Sequence, residues 1–368
     1  MALDDKDYLR NYDGPPLRIM EVCGTHTAAI FKNGIRSLLS PMLRLVSGPG
    51  CPVCVTVPSY IDRCIEICLL PGHELLCFGD LLKVPGTERT LSDAKGAGGR
   101  VRMVWSPFDA LALAEREPDT IFVFAAIGFE TTAPAFGLLL EEAEACGVRN
   151  IKLVTSLKSA LRAIDWVCAM GEAIDAFLCP GHVSVVTGAD AYVPLAEKYG
   201  KPFIVAGFEG EHLLAAIRAA AEDAAEGRGG VRNLYPEAVS AQGNLKAREV
   251  TDRYFELDAA EWRGLGNVEE SGYYLREEYQ AFDIMTGGRF GVTGGRFFCH
   301  AEPSPCLTEP SPCLTEPFPC HACRCGDVIL GRIDPDECPL FKTACTPSHP
   351  IGPCMVSPEG ACGYWFRG

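Results

Sequence analysis

Between about residues 17 and 240, short apolar runs alternate with longer segments whose apolar residues recur at helical spacing. LRIMEV predicts a strand, and THTAAIFKNGIRSLL, which comes soon after it, predicts a helix. TIFVFAAIG and TAPAFGLLLEEAEAC repeat that order in the middle of the chain. Strands that are apolar throughout, separated by amphipathic helices, are typical of parallel sheets covered by helices on both faces. The pattern therefore predicts an α/β protein.

A polar break, EREPDT at residues 115–120, interrupts this alternation near its middle. We therefore predict two similar parallel-sheet α/β domains, at residues 17–117 and 118–240. The remaining residues, 1–16 and 241–368, are assigned to a third, mixed domain. That domain begins with a partly helical stretch and becomes rich in glycine, proline and cysteine.

The third domain contains an unusual link at residues 299–320. Residues 303–309 and 310–316 are identical tandem copies of PSPCLTE. The prolines around Cys306 and Cys313 suit a linker, so we predict that the link is mobile and dispensable. A ligand role for these two cysteines is the alternative.

The net charge argues against nucleic acid as a partner, and the absence of targeting signals from the sequence bears on the location. The chain of 368 residues has 33 Lys and Arg against 48 Asp and Glu, a net charge of −15, and no long basic run. Nucleic-acid binding is not expected, because phosphate contacts need clustered positive charge. The first residues, MALDDKDYLRNYDG, lack the apolar core of a signal peptide, and no run is long enough for a membrane span. A cytoplasmic protein without a membrane partner is therefore predicted.

Nineteen cysteines are many for a chain of this predicted location. A reducing compartment does not maintain a disulfide scaffold, so metal, cluster or catalytic thiol chemistry is the better interpretation. Some cysteines have a simpler explanation, because their neighbours are apolar and a buried cysteine packs like a small hydrophobic residue. These are Cys64, Cys68, Cys77, Cys146 and Cys168.

Four short motifs fall where predicted strands end, the usual ligand-binding edge of a parallel sheet. EVCGTH places Cys23 at the start of a helix with His26 one turn later. Both features lower the pKa of a thiol, which favours a nucleophile or metal ligand. A buried cysteine at a strand end is the alternative.

GPGCPVC, GFETTAP and CPGHVS are the other three motifs. Cys51 and Cys54 form C-x-x-C and predict a redox pair or a transient metal contact, because a zinc site would need a second pair at the usual spacing. Glu130 and His182 form a possible acid–base pair. The alternatives are a helix-capping glutamate and a structural histidine.

The C-terminal part has the strongest metal signal, since ten of the nineteen cysteines lie in residues 299–362. Four thiolates are what an iron–sulfur cluster needs. One set consists of Cys323, Cys338, Cys345 and Cys362. It leaves Cys325 and Cys354 as a dithiol or disulfide; an alternative set starts at Cys325. A zinc site of four cysteines, or of three cysteines and a histidine, is also compatible with the spacing.

Together the motifs resemble the HypD family of [NiFe]-hydrogenase maturation proteins. The resemblance covers residues 17–366, nearly the whole chain. It rests on CGTH, GPGCPVC, FGDLLKVPG, SPFDAL, IGFETTAP, PGHVS, GFE, WRGLG and the ending CRCG…CPLF…CTP…GPCMVSPEGAC, in this order.

The resemblance implies two α/β domains and a third domain that holds a [4Fe–4S] cluster. It implies a redox-active scaffold that takes part in cyanide transfer to iron, where the Fe(CN)2(CO) group is built. HypC would share the iron, and HypE would deliver cyanide from a thiocyanate. The implied roles are an iron ligand at Cys23, a redox pair at Cys51 and Cys54, cleft residues at His26, Glu130 and His182, cluster ligands at Cys323, Cys338, Cys345 and Cys362, and an electron relay at Cys325 and Cys354.

Two further functions remain open from the sequence. One is a stand-alone thiol–disulfide reductase fed by the cluster, and the other is a zinc-stabilised interaction protein. Residues 155–160, TSLKSA, stand where the family usually has a His-Lys segment. One cleft contact that the resemblance implies is therefore not expected in the same form here. The chain has no G-x-x-x-x-G-K-[ST] motif, so nucleotide binding has no support.

Overall fold

The computed structural model describes residues 4–171, 173–285 and 322–367. Strands β1 to β11 are Leu17–Glu21, Leu43–Ser47, His73–Cys77, Val101–Met103, Ile121–Gly128, Ile151–Lys158, Ala176–Pro180, Pro202–Ala206, Gly230–Asn233, Phe255–Trp262 and Gly266–Leu275. Helices α1 to α14 are Asp5–Arg10, Gly24–Lys32, Pro58–Cys68, Leu91–Gly96, Asp109–Arg116, Ala133–Ala145, Ala160–Ala169, Gly181–Thr187, Val193–Tyr199, Gly210–Ala225, Leu245–Tyr254, Cys325–Ile329, Pro353–Val356 and Ala361–Arg367.

The first sheet is wholly parallel and has the strand order β2-β1-β7-β8-β9. Both faces of its interior strand β1 are covered. Ile19 packs in a core that includes residues of α10, whereas Met20 packs in a core that includes residues of the C-terminal segment. Successive side chains of a strand point to opposite faces, so a strand covered on both faces needs apolar residues on both of them.

The second sheet is mixed and has the order β10-β11-β6-β5-β3-β4. Strands β6, β5, β3 and β4 are parallel, and the antiparallel pair β10–β11 adds to the β6 edge. The α/β class, with a parallel sheet and a mixed sheet, confirms the predicted fold class. Among the described residues, no helix is both long enough and apolar enough to cross a bilayer.

The sheets divide the chain differently from the predicted boundary near residue 117. Ile19 in β1 pairs with Ala176 in β7, so the first sheet combines residues 17–47 with residues 176–233. The second sheet is built between these parts and is completed by β10 and β11. Hydrophobic periodicity indicates the type of each element but carries no information about which strands become neighbours, so the discontinuous arrangement was missed.

The last described segment, residues 322–367, packs on the first sheet as short helices and turns. The Arg18 guanidinium in β1 donates a hydrogen bond to the Gly331 carbonyl oxygen. The partly helical stretch predicted at the start of the third domain contains α11, and β10 and β11 follow it. The predicted link at 299–320 lies outside the described residues.

Candidate thiol and metal site

Cys23 lies where β1 ends and α2 begins, and its side chain is buried. The GPGCPVC loop follows the neighbouring strand β2 and lies directly against it. Gly24 donates its backbone N–H to the carbonyl oxygen of Gly50 over 3.3 Å. A Cβ atom on Gly50 would stand 2.4 Å from the Cys23 nitrogen, a separation that side-chain atoms do not adopt. Only glycine permits this approach of the two loops.

Cys51 and Cys54 are joined by a disulfide, with 5.3 Å between their Cα atoms. The backbone N–H of Cys54 also donates to the Cys51 sulfur, at 3.2 Å. Both cysteines line a small cavity that Gly24, Cys354 and Glu359 line as well. The first loop, the disulfide loop and the C-terminal segment therefore meet at one place.

Burial raises the pKa of the Cys23 thiol to about 12. The backbone N–H groups of His26 and Thr25 act in the opposite direction, as expected at a helix start, but burial has the larger effect. The expectation of a lowered pKa at Cys23 is therefore wrong for the free thiol. A metal ion would have to displace the thiol proton to bind here.

His26 and His182 both pack against the aromatic ring of Phe208. Their imidazole centroids lie 5.0 and 4.0 Å from that of Phe208. Nε2 of His26 lies 3.2 Å from the Ala206 carbonyl oxygen, to which it donates. Its Nδ1 is buried without a hydrogen-bond partner in the part of the chain that the structure describes. Burial lowers the pKa of His26 to about 4 and lowers that of His182, which favours neutral rings.

Glu130 is buried in a different place, beside a cavity of about 330 Å³. Its carboxylate accepts hydrogen bonds from the Ser159 hydroxyl at 2.7 Å and from the Ala160 N–H at 3.1 Å. It thus caps α7 and not the helix that follows it in sequence. Burial raises its pKa. The contacts found among the described residues do not include one between Glu130 and His182, so the structure does not bring the proposed acid–base pair together.

Two buried charged residues of this region were missed from the sequence. Glu21, two residues before Cys23, accepts hydrogen bonds from the hydroxyls of Thr27 at 2.6 Å and Ser47 at 2.7 Å. Burial raises the pKa of Glu21 to about 7. The available signal was a glutamate directly between the apolar residues Met20 and Val22 of the predicted strand.

Lys158 is the second, and it lies at the end of β6 within the TSLKSA segment. Its ammonium donates to the Glu261 carbonyl oxygen at 2.8 Å and stands 5.3 Å from the centre of the Trp262 ring. Burial lowers its pKa to about 7. The segment that departs from the family pattern thus still places a buried amine beside the end of β10.

The predicted C-terminal cysteines gather in one part of the core. Cys338, Cys345 and Cys362 are buried, whereas Cys323 is partly exposed. Burial raises the pKa of the Cys345 thiol, and its neighbours Cys362 and Cys338 raise it further. Cys338 also lies within electrostatic range of Cys323. Four neighbouring thiols match the donor set of an iron–sulfur cluster.

These thiols are not arranged closely enough to form a site for a single metal ion. No three His, Cys, Asp or Glu side chains of the described residues are grouped tightly enough to hold one metal ion. The Ile351 N–H already donates to the Cys345 sulfur at 3.3 Å, a contact of the kind that stabilises cluster sulfur.

Cys325 and Cys354 adjoin this group on the side of the disulfide loop. The thiols of Cys323 and Cys354, together with the guanidinium of Arg263, hold the pKa of Cys325 well below its usual value. Cys354 also lies beside Cys362. The second thiol pair therefore lies between the predicted cluster ligands and the Cys51–Cys54 disulfide.

The other cysteines mostly behave as core residues. Cys64, Cys68, Cys77 and Cys168 are buried, as predicted. Cys146 is exposed at the end of α6, so its predicted burial is wrong.

Comparison with known proteins agrees with the motifs. Residues 6–368 match the model of the family described as "HypD: Hydrogenase formation hypA family". The hydrogenase maturation factor HypD of Azotobacter vinelandii is 40% identical over 357 residues, which cover 95% of this chain and 88% of the relative. HypD of Escherichia coli K12 is 40% identical over 96% of this chain and 89% of its own length. HypD of Rhodobacter capsulatus is 38% identical over 96% and 90%.

Proposed function

This chain belongs to the HypD family of hydrogenase maturation factors, and we propose that it is the scaffold on which the Fe(CN)2(CO) group of a [NiFe]-hydrogenase is assembled. Cys23 would bind the iron, which is the substrate of the assembly. A HypC-type chaperone would share that iron, and a HypE-type protein would donate cyanide from a thiocyanate. Neither nucleic acid nor a membrane has a part in this proposal, and a cytoplasmic location remains a prediction.

The convergence of three thiol-bearing segments is the observation that carries the proposal. Gly50 brings the disulfide loop into backbone contact with Cys23. Cys354 lines the same small cavity as Cys51 and Cys54. The candidate iron ligand, the Cys51–Cys54 disulfide and one thiol of the second pair are therefore neighbours, although Cys354 is far from the others in sequence.

Cys23 suits a soft, low-valent iron substrate. Thiolates favour metals that also bind cyanide and carbon monoxide. The raised pKa keeps the free thiol protonated, so binding of iron releases a proton and the thiolate forms only with the metal present. The neutral rings of His26 and His182 are free of the charge repulsion that imidazolium would exert on an iron cation.

Release of cyanide from a thiocyanate requires two electrons, and products are a thiolate and cyanide. A dithiol can supply both electrons as it becomes a disulfide and loses two protons. The Cys51–Cys54 pair is close to Cys23 and is present here as the disulfide, the product of that oxidation.

Regeneration of the Cys51–Cys54 dithiol would come from Cys325 and Cys354 by thiol–disulfide exchange. The exchange converts one dithiol and one disulfide into the other disulfide and dithiol, so electrons and protons balance. Cys323, Cys338, Cys345 and Cys362 would hold a [4Fe–4S] cluster, which would supply electrons to the relay when bound. The neighbouring positions of these thiols support that ligand set.

Metal and sulfide analysis of anaerobically purified protein tests this proposal. We expect about four irons and about four acid-labile sulfides per chain, the content of one cluster. Zinc without sulfide would contradict the electron supply and would favour a zinc-stabilised interaction protein.

A stand-alone thiol–disulfide reductase is a second candidate function, because it would also need the Cys51–Cys54 disulfide. A Cys23→Ala variant distinguishes the two functions. We expect the variant to keep its cluster and its dithiol redox activity. Its complex with a HypC-type protein should lack the infrared bands of iron-bound cyanide and carbon monoxide. Wild-type bands in the variant complex would refute the role of Cys23.

A further inference from the structure

The WRGLG motif forms the turn between β10 and β11, and it contacts residues that are next in sequence to both thiol pairs. The backbone N–H of Arg263 donates to the carbonyl oxygen of Val55, the residue after Cys54, at 2.9 Å. On the other side, Gly264 meets Gly326, the residue after Cys325. A Cβ atom on Gly264 would stand 2.4 Å from the Cα atom of Gly326. The turn therefore bridges the CPVC loop and the CRCG segment by backbone contacts alone.

Glycine is required on both sides of this contact. Gly264 has a φ of +87°, a conformation that other residues rarely adopt. A Cβ atom on Gly326 would in turn lie 2.8 Å from the Cα atom of Gly264. Because neither residue has a side chain, the two backbones meet here, and Arg263 and Cys325 are the residues that directly precede the contact.

The Arg263 guanidinium lies beside the sulfur of Cys325. Its Nη1 atom is buried, and it has no hydrogen-bond partner within residues 4–171, 173–285 and 322–367. A buried donor without a partner is costly, and this one is available to a sulfur in its vicinity.

Trp262 fixes the position of this turn through a hydrogen bond and aromatic packing. The indole is buried, its N–H donates to the Ser271 hydroxyl at 2.7 Å, and its ring stacks on Phe129 with 6.0 Å between centroids. Because the turn is fixed in this way, the backbone position of Arg263 is well defined. The planar guanidinium then loses little conformational entropy when it forms a contact.

We propose that Arg263 is a positioning residue for thiol transfer: it holds the sulfur of Cys325 in place to resolve the mixed disulfide between Cys354 and the CPVC pair. The proposal rests on the relay in the proposed function. In the first step Cys354, which lines the same cavity as Cys51 and Cys54, loses its thiol proton and attacks one sulfur of their disulfide. The other sulfur of that disulfide leaves as a thiolate and takes up a proton. In the second step Cys325 attacks Cys354, and the CPVC sulfur leaves.

The two steps balance without any further reactant. Two S–H groups and one S–S bond are consumed, and two S–H groups and one S–S bond are formed. The pair Cys325 and Cys354 is oxidised, and the pair Cys51 and Cys54 is reduced. The contribution of Arg263 is confined to the second step, since its guanidinium lies at Cys325.

Trapping of the mixed disulfide tests this role. The full-length protein is reduced without oxygen, treated with one equivalent of diamide, quenched in acid and alkylated. Peptide mass spectrometry then measures the peptide pair that links Cys354 to Cys51 or Cys54. Cys325→Ser, which lacks the resolving thiol, is the positive control. Arg253→Ala, an exposed arginine of α11 that pairs with Glu141, is the matched negative control.

We expect Arg263→Ala to accumulate about tenfold more mixed disulfide than the wild type, the effect of losing one contact to a charged group. Arg263→Lys, which keeps the charge without the planar fork, should fall between the two. Arg253→Ala should match the wild type. A wild-type level in Arg263→Ala, while Cys325→Ser accumulates the species, would overturn the role of Arg263 and leave the relay intact.

Two other outcomes are also decisive. If Arg263→Ala does not fold, Arg263→Lys decides, and a wild-type level of mixed disulfide in that variant counts against the proposal. If Cys325→Ser accumulates no mixed disulfide, the relay itself is wrong, and with it the role of Arg263.

Discussion

The backbone of Gly50 is in van der Waals contact with the backbone of Cys23. A Cβ atom on Gly50 would stand 2.4 Å from the Cys23 nitrogen and 2.7 Å from its Cα atom. The hydrogen bond from Gly24 to the Gly50 carbonyl oxygen closes the same contact from the other side. Cys23, the candidate iron ligand, can lie this close to the disulfide loop only because Gly50 has no side chain.

Gly50→Ala should force these two loops apart. We expect a loss of about 1–3 kcal/mol in the free energy of unfolding, as for other overpacked sites, measured by urea denaturation. Iron retention at Cys23 should fall with it. Gly96→Ala is the matched control, because a Cβ atom there meets no atom within 4 Å. Equal stability of both variants would show that the loops can move apart without cost.

Lys158→Met should change how stability depends on pH. Burial lowers the Lys158 pKa from 10.5 to about 7, so between these values the unfolded chain binds a proton that the folded chain lacks. The wild type should therefore gain stability relative to the variant as the pH rises through this window. The gain should reach up to about 1.4 kcal/mol per pH unit.

Urea denaturation at several pH values measures this difference. Lys246→Met provides the control, since that side chain is exposed on α11 and its ammonium remains in water. A constant stability difference between Lys158→Met and the wild type from pH 7 to pH 10.5 would contradict the lowered pKa of the buried Lys158 amine.

Cys345→Ser should abolish most of the bound iron and sulfide. The thiol is buried among Cys338 and Cys362, and serine has the same shape but is a poor ligand for an iron–sulfur cluster. Cys146→Ser, at an exposed cysteine, should leave the metal content unchanged. The measurement is iron and sulfide per chain, and full content in Cys345→Ser would remove this residue from the ligand set.

Deletion of residues 303–316 should leave the iron and sulfide content unchanged. The reason comes from the sequence, where the two copies of PSPCLTE suit a duplicated linker. A double variant with serine at Cys306 and Cys313 isolates the thiols from the length of the link. Loss of cluster in that variant would mean that these cysteines are ligands.

The local order of elements could be read from the chain, because it depends on contacts close in sequence. The apolar run of β5, Ile121–Gly128, and the amphipathic pattern of α6, Ala133–Ala145, appear where the pattern predicts them. The cysteine motifs were equally visible, since a C-x-x-C spacing brings Cys51 and Cys54 within disulfide range without help from the rest of the fold.

Long-range relationships could not be read in the same way. The separation of Glu130 from His182 depends on which strands pair, and strands of similar composition can pair in several orders. The raised pKa of Cys23 depends on burial by segments that come much later in the chain. A helix start alone favours the thiolate, and the environment reverses that effect.

The sequence by itself determined the α/β class, the strand-end motifs and the family, because each follows from local periodicity or from short residue patterns. The tertiary structure alone decided that the first sheet is discontinuous, that Gly50 touches Cys23, and that Arg263 lies between the thiol pairs. The physical reason is that these relationships arise from packing between segments more than a hundred residues apart or from the absence of a side chain at a crowded contact, and neither leaves a periodic signal in the chain.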